Sequence, residues 1–132
     1  MKLHDFLEAT DPQGFEPKPF YSPEGDALTF FVADRDHYAE RVDELLTVFL
    51  DMETDELVGW KIKGIRRLIT VLGTFDLVIE HGEDVPLGPF FLAGLTLTQE
   101  KFRAFYERCG QASKGATLTS RELPGELLGA AR

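Results

Sequence analysis

The chain has 132 residues, 43% of them hydrophobic and eleven of them phenylalanine, which is enough for one folded domain with a ring-rich core and no covalent staples. Its single cysteine, Cys109, excludes an internal disulfide and any thiolate-based zinc cluster within one chain. The net charge of −9 is uneven, with 4 basic and 15 acidic side chains in residues 1–56 against 10 and 8 in residues 57–132; the acidic front half argues against nucleic acid, which needs clustered Lys and Arg.

Residues Leu3 to Ala9 offer one short helix. The run "DPQGFEPKPFYSPEG" that follows holds four prolines and two glycines, so residues 1–24 read as a Pro-rich arm without regular structure. In "ALTFFV" the aromatic and β-branched residues predict a strand, with Leu28, Phe30 and Val32 on one face and Thr29 and Phe31 on the other. Between Tyr38 and Leu50 two periods compete: Tyr38, Val42, Leu45 and Phe49 fit a helix, whereas Leu46, Val48 and Leu50 fit a strand. The preferred reading is a polar connection or short helical turn, then the strand.

"LVGWKIK" alternates, sending Val58, Trp60 and Ile62 one way and Lys61 and Lys63 the other. Ile65, Leu68, Ile69 and Leu72, bracketed by Gly64 and Gly73, predict a short amphipathic helix. "TFDLVIE" predicts a fourth strand, "HGEDVPLGP" a loop and "FFLAGLTL" a fifth strand. Thr98 then caps a helix over 99–109 that carries Phe102, Phe105, Tyr106 and Cys109 on one face, with Gly110 as its end. Residues 111–132 read as a loosely held tail with at most a short strand at 116–119. The expected architecture is a single α+β domain: an antiparallel sheet of about five strands packed by two main helices, with a strand-strand-strand-helix unit at 25–73 and strand, strand, helix at 74–110.

The chemistry turns on residues 51–67, where Asp51, Glu53, Asp55 and Glu56 precede Lys61, Lys63, Arg66 and Arg67. A calcium loop starting at Asp51 would need Gly at its sixth position and Glu at its twelfth; the chain has Glu56 and Ile62. The turn of a hairpin explains the acids better, since Asp and Thr side chains bond to turn amides. Asp34, Asp36 and His37, and Glu80, His81, Glu83 and Asp84, imitate carboxylate-imidazole metal sites, but neither set has a spacing that fixes geometry on one element. Cys109 sits at helical spacing with Phe102 and Phe105, which makes it a core thiol rather than a nucleophile. No nucleophile elbow, phosphate loop or dinucleotide fingerprint is present. The cations are the strongest local feature: Lys61, Lys63, Arg66 and Arg67 flank Gly64, where a helix N-terminus should present free amides, and they form a candidate ligand-binding set for an anion.

Tyr21, Glu24, Asp26, Ala27 and Leu28, followed by Asp51, Asp55, Leu57, Val58 and Gly59, make residues 20–72 resemble the small bacterial family called domain of unknown function 2283. The inserted "ADRDHYAERVD" and the residues after Gly73 depart from that pattern. The resemblance implies a β-rich unit of three strands and a helix, and implies nothing about catalysis.

The functional expectation is a non-enzymatic protein-interaction or self-association module, forming a homodimer or meeting a protein partner, with no cofactor. The alternatives are a protein binding a small anionic or apolar ligand, and a metal-dependent hydrolase using Asp34, Asp36, His37 or His81. The absence of a leader-like apolar run in "MKLHDFLEATD", and of any stretch long enough to span a membrane, suggests a cytoplasmic protein without membrane contact.

Overall fold

The computed structural model describes residues 17–74, 84–119 and 122–124. A five-stranded antiparallel sheet has the order β1-β2-β5-β4-β3, built from β1 (Phe20–Ser22), β2 (Ala27–Phe31), β3 (His37–Arg41), β4 (Leu46–Asp51) and β5 (Leu57–Lys63). The helices are α1 (Ile65–Thr74), α2 (Gly88–Leu97) and α3 (Arg103–Ala112), the last preceded by a 3-10 turn over Glu100–Phe102. A two-stranded ribbon of β6 (Asp84–Pro86) and β7 (Thr117–Thr119) completes the α+β domain. None of the described helices is long and apolar enough to cross a membrane.

Alternation drives the centre of the sheet. Trp60 and Ile62 of β5 lie between Phe30 and Leu28 of β2 and Val48 and Leu46 of β4, and all six are buried in one cluster with Ile65, Leu68, Ile69 and Leu72 of α1. Burying one such side chain contributes roughly 1.5–3 kcal/mol, so the face of α1 read from its spacing is what holds it on the sheet. The Trp60 ring stands perpendicular to Phe91 of α2, centroids 4.7 Å apart. Its Nε1–H donates to Ser113 Oγ at 2.7 Å, and that hydroxyl donates to the Cys109 carbonyl at 2.7 Å. The central strand is thereby tied to both later helices.

The five strands are not the five expected from the pattern. "FFLAGLTL" is helical: Pro89 stands in the first turn of α2, where its fixed φ suits a helix, and the segment is apolar on most sides because α2 packs between α1 and α3. In place of the expected connection or helical turn, residues 37–41 form β3, an edge strand whose five residues are all exposed; with no buried side, no apolar alternation marks it. The Pro-rich arm contains β1, which fits between Pro19 and Pro23 at the other edge, where the sheet tolerates proline. Thr98 ends α2 instead of capping the next helix, and α3 runs past Gly110 to Ala112. The strand expected at 75–80 and the helix at 3–9 lie outside the described residues.

Two helical glycines meet opposite surroundings. A Cβ on Gly94 would stand 2.5 Å from Cε2 of the buried Tyr106 ring, so only glycine lets α2 and α3 approach this closely; a Cβ on Gly110 would rest 3.8 Å from Phe91, an ordinary contact. Gly94→Ala is therefore expected to destabilise the protein by about 1–3 kcal/mol through overpacking. Gly110→Ala should stabilise it by about 0.5–1 kcal/mol through helix propensity. Denaturant melts of the two variants should move in opposite directions.

Candidate functional site

At the cations around Gly64 the chain itself supplies the anion. Asp26, in the tight turn between β1 and β2 with a φ of 50°, reaches the start of α1. Its carbonyl accepts from the amides of Gly64 (2.9 Å) and Ile65 (3.2 Å), and its carboxylate accepts from the amide of Arg66 at 3.2 Å. The Arg66 Nε lies 3.8 Å from the same carboxylate, and the Tyr21 hydroxyl donates to it at 2.6 Å. Burial and the neighbouring Asp26 carboxylate push the Tyr21 phenol up to about 12, keeping it a donor. Amides at a helix start attract anions, and here the anion is a side chain of the turn between β1 and β2.

The four expected residues do not converge. Lys61 is half-buried between Thr29 and Thr47 on the sheet face opposite Trp60, with exposed Lys63 two residues on. Arg66 is held by Asp26, and Arg67 borders a polar hollow of about 190 Å³ with Asp43, Glu44, Thr98 and Gln99.

That hollow adjoins a polar node that sequence reasoning passed over. Asp43, in the turn from β3 to β4, accepts at Oδ1 from the amides of Leu45 (2.9 Å) and Leu46 (2.8 Å), and at Oδ2 from the hydroxyls of Thr98 (2.5 Å) and Tyr106 (2.7 Å). Burial works against its charge, but the hydrogen bonds from Thr98, Leu46, Tyr106 and Leu45 outweigh it and hold the carboxyl below the ordinary 3.8. Tyr106 moves the other way: burial, then its bond to Asp43, raise its phenol well above 10. The partners lie 55 and 63 residues from Asp43, so no local spacing announces them.

The acidic stretch is a turn. Asp51 Oδ1 accepts from the amides of Glu53 (2.8 Å) and Thr54 (3.0 Å), bonds that lower its pKa, with help from Arg35. Asp55 adopts a φ of 62°. Its carboxylate accepts from the Tyr38 hydroxyl at 2.6 Å. Among the described residues no group of three His, Cys, Asp or Glu side chains is placed to hold a metal ion. His81 lies outside those residues, while the His37 ring packs on Phe31 and Phe49 and its Nδ1–H donates to the Arg35 carbonyl at 2.9 Å. Cys109 is fully buried, and burial pushes its thiol up to about 12, which rules it out as a ready nucleophile.

What the structure leaves open to partners is the sheet. The face turned from the helices carries Phe31 and Phe49 stacked at 4.9 Å across Gly59, with His37 on both rings and exposed Phe20 toward the far edge. Gly59 is required there: a Cβ would come within 2.6 Å of the Phe30 carbonyl oxygen and 2.7 Å of the Phe31 ring. Beside these rings runs the exposed edge of β3. No protein-family model, curated protein or solved structure matches the chain.

Since the folded pKa of Asp43 is depressed, its contribution is fully present above the unfolded value near 4 and is lost as pH falls through the lower folded value. Asp43→Asn, which keeps the shape but loses the charge and one acceptor, should destabilise by about 1–3 kcal/mol at neutral pH. The gap to the parent protein should narrow by pH 3. Urea unfolding of both proteins at the two pH values checks this.

Proposed function

We propose that this chain is a non-enzymatic interaction module that self-associates through the β3 edge. The observation carrying the reading is the state of that strand: five residues, all exposed, with nothing paired on the outer side among the described residues. The ladder to β4 uses the even positions, as the bonds from Met52 N–H to the Asp36 carbonyl and from Val42 N–H to the Leu46 carbonyl fix the phase. The amides and carbonyls of His37, Ala39 and Arg41 therefore point outward. An edge of this kind is a template for another strand.

A second copy added about a two-fold axis through Ala39 would match these outward groups pair by pair, with Tyr38 of each copy opposite Glu40 of the other. It would also join the two aromatic faces into one continuous surface. Charged Glu40 and Arg41 disfavour indiscriminate pairing. A homodimer in a reducing cytoplasm also suits the buried, unpaired Cys109. The anion-binding reading of Lys61, Lys63, Arg66 and Arg67 has less support, because Asp26 already takes the amides at the head of α1. Kinship with the family of domain of unknown function 2283 belongs to the same proposal. Its support is that Tyr21, Asp26, Asp51, Asp55 and Gly59 each have a structural role in the turn, cap or close approach they form.

Ala39→Pro tests the interface without touching the ladder to β4, since proline removes only an outward N–H. Native mass spectrometry should find a dimer for the parent chain and a monomer for the variant, whose melting temperature stays close to that of the dissociated parent. A parent chain that stays monomeric at concentrations on the order of 100 μM, where even weak association is visible, would refute the proposal.

A further inference from the structure

Residues of α2 and α3 line a groove of about 530 Å³, a volume in the range of small-molecule sites. Its walls are Pro89, Phe91, Leu92 and Leu95 on one side and Tyr106 with the backbone at Gly110 on the other. Leu92 is 59% exposed although it belongs to the most apolar helix of the fold. Two glycines keep the space open: nothing lies within 4 Å of where a Cβ would stand on Gly88, and at Gly110 only Phe91 does.

The rim settles which apolar ligand fits. Glu107 faces the groove but is tied to Arg103 Nε at 2.8 Å. Arg108 and Lys114 line the same rim, are exposed, and make no ion pair among the described residues. In a chain of net charge −9, this leaves an apolar trough with two uncommitted cations at its edge, the complement of a hydrocarbon or aromatic tail ending in a carboxylate. We propose that the groove between α2 and α3 binds a small amphipathic carboxylate, the tail against Phe91, Leu92 and Leu95 and the head between Arg108 and Lys114. This site is independent of the β3 edge and of the cations around Gly64.

Decanoate is a suitable probe, with decyltrimethylammonium, which has the same tail length and the opposite charge, as its control. Titrating the full chain below micelle-forming concentrations, followed by calorimetry and amide NMR, should give saturable one-to-one binding of decanoate. The shifts should concentrate at residues 88–95 and 106–114. The cationic control should bind at least about tenfold more weakly, as should decanoate to the Arg108→Glu, Lys114→Glu double variant, the loss expected for one charge-assisted contact. Gly110→Leu, which fills the groove, and Leu92→Glu, which changes only an exposed side chain, should each abolish binding while circular dichroism stays that of the folded parent. Equal binding of both probes, or decanoate shifts centred on Phe31, Phe49 and Phe20 instead, would overturn the assignment. So would absence of binding together with a change in oligomer mass in Leu92→Glu, which would give the groove to a second copy of the chain.

Discussion

One carboxylate organises the junction between the two layers. The turn from β3 to β4 must end somewhere, and Asp43 ends it by accepting two amides of its own turn while drawing in hydroxyls from the end of α2 and the middle of α3. An ionised carboxylate has about four acceptor positions, so these four donors fill it. The cost of partly burying the charge is offset only if every partner is in place. That condition sets the height of both helices over the sheet at once. It also explains why Tyr106 lies so deep: its ring fills the space that Gly94 leaves, and its hydroxyl emerges at Asp43.

Much of the polar chemistry in this chain has the same structural purpose. Asp26 caps α1, Asp51 braces a hairpin and Ser113 receives the Trp60 indole. Among the described residues no buried side-chain polar atom is without a hydrogen-bond partner. Here Asp51 and Asp55 of the acidic stretch are engaged in the hairpin turn, by the amides of Glu53 and Thr54 and by the Tyr38 hydroxyl. Among the described residues the open features include a strand edge, an aromatic sheet face and a groove between helices.

Legibility followed burial. β5 and α1 were readable because each has one covered side, so that Trp60 and Ile62, or Ile65, Leu68, Ile69 and Leu72, recur at the period of their element. α2 was misread because helices on two sides remove the polar stripe that would mark its period; Pro89 was the available signal. β3 failed for the opposite reason, since a strand exposed throughout carries no pattern. At Gly64 the amides at the head of α1 are taken by Asp26, which lies about forty residues earlier in the turn before β2, a relation fixed only by the pairing of β2 with β5. Asp43 stayed hidden for the same reason.

Cys109 sits where sheet, α2 and α3 meet, its thiol fully enclosed and held in the protonated form by burial. Because the thiol is fully enclosed, its reaction with an alkylating reagent must wait for α3 to lift from its neighbours, and because the chain has no other cysteine, all thiol labelling reports on that event. The labelling rate would then follow the population of that open state, which makes the native chain its own clock for local opening: a probe of α3 that needs no introduced label.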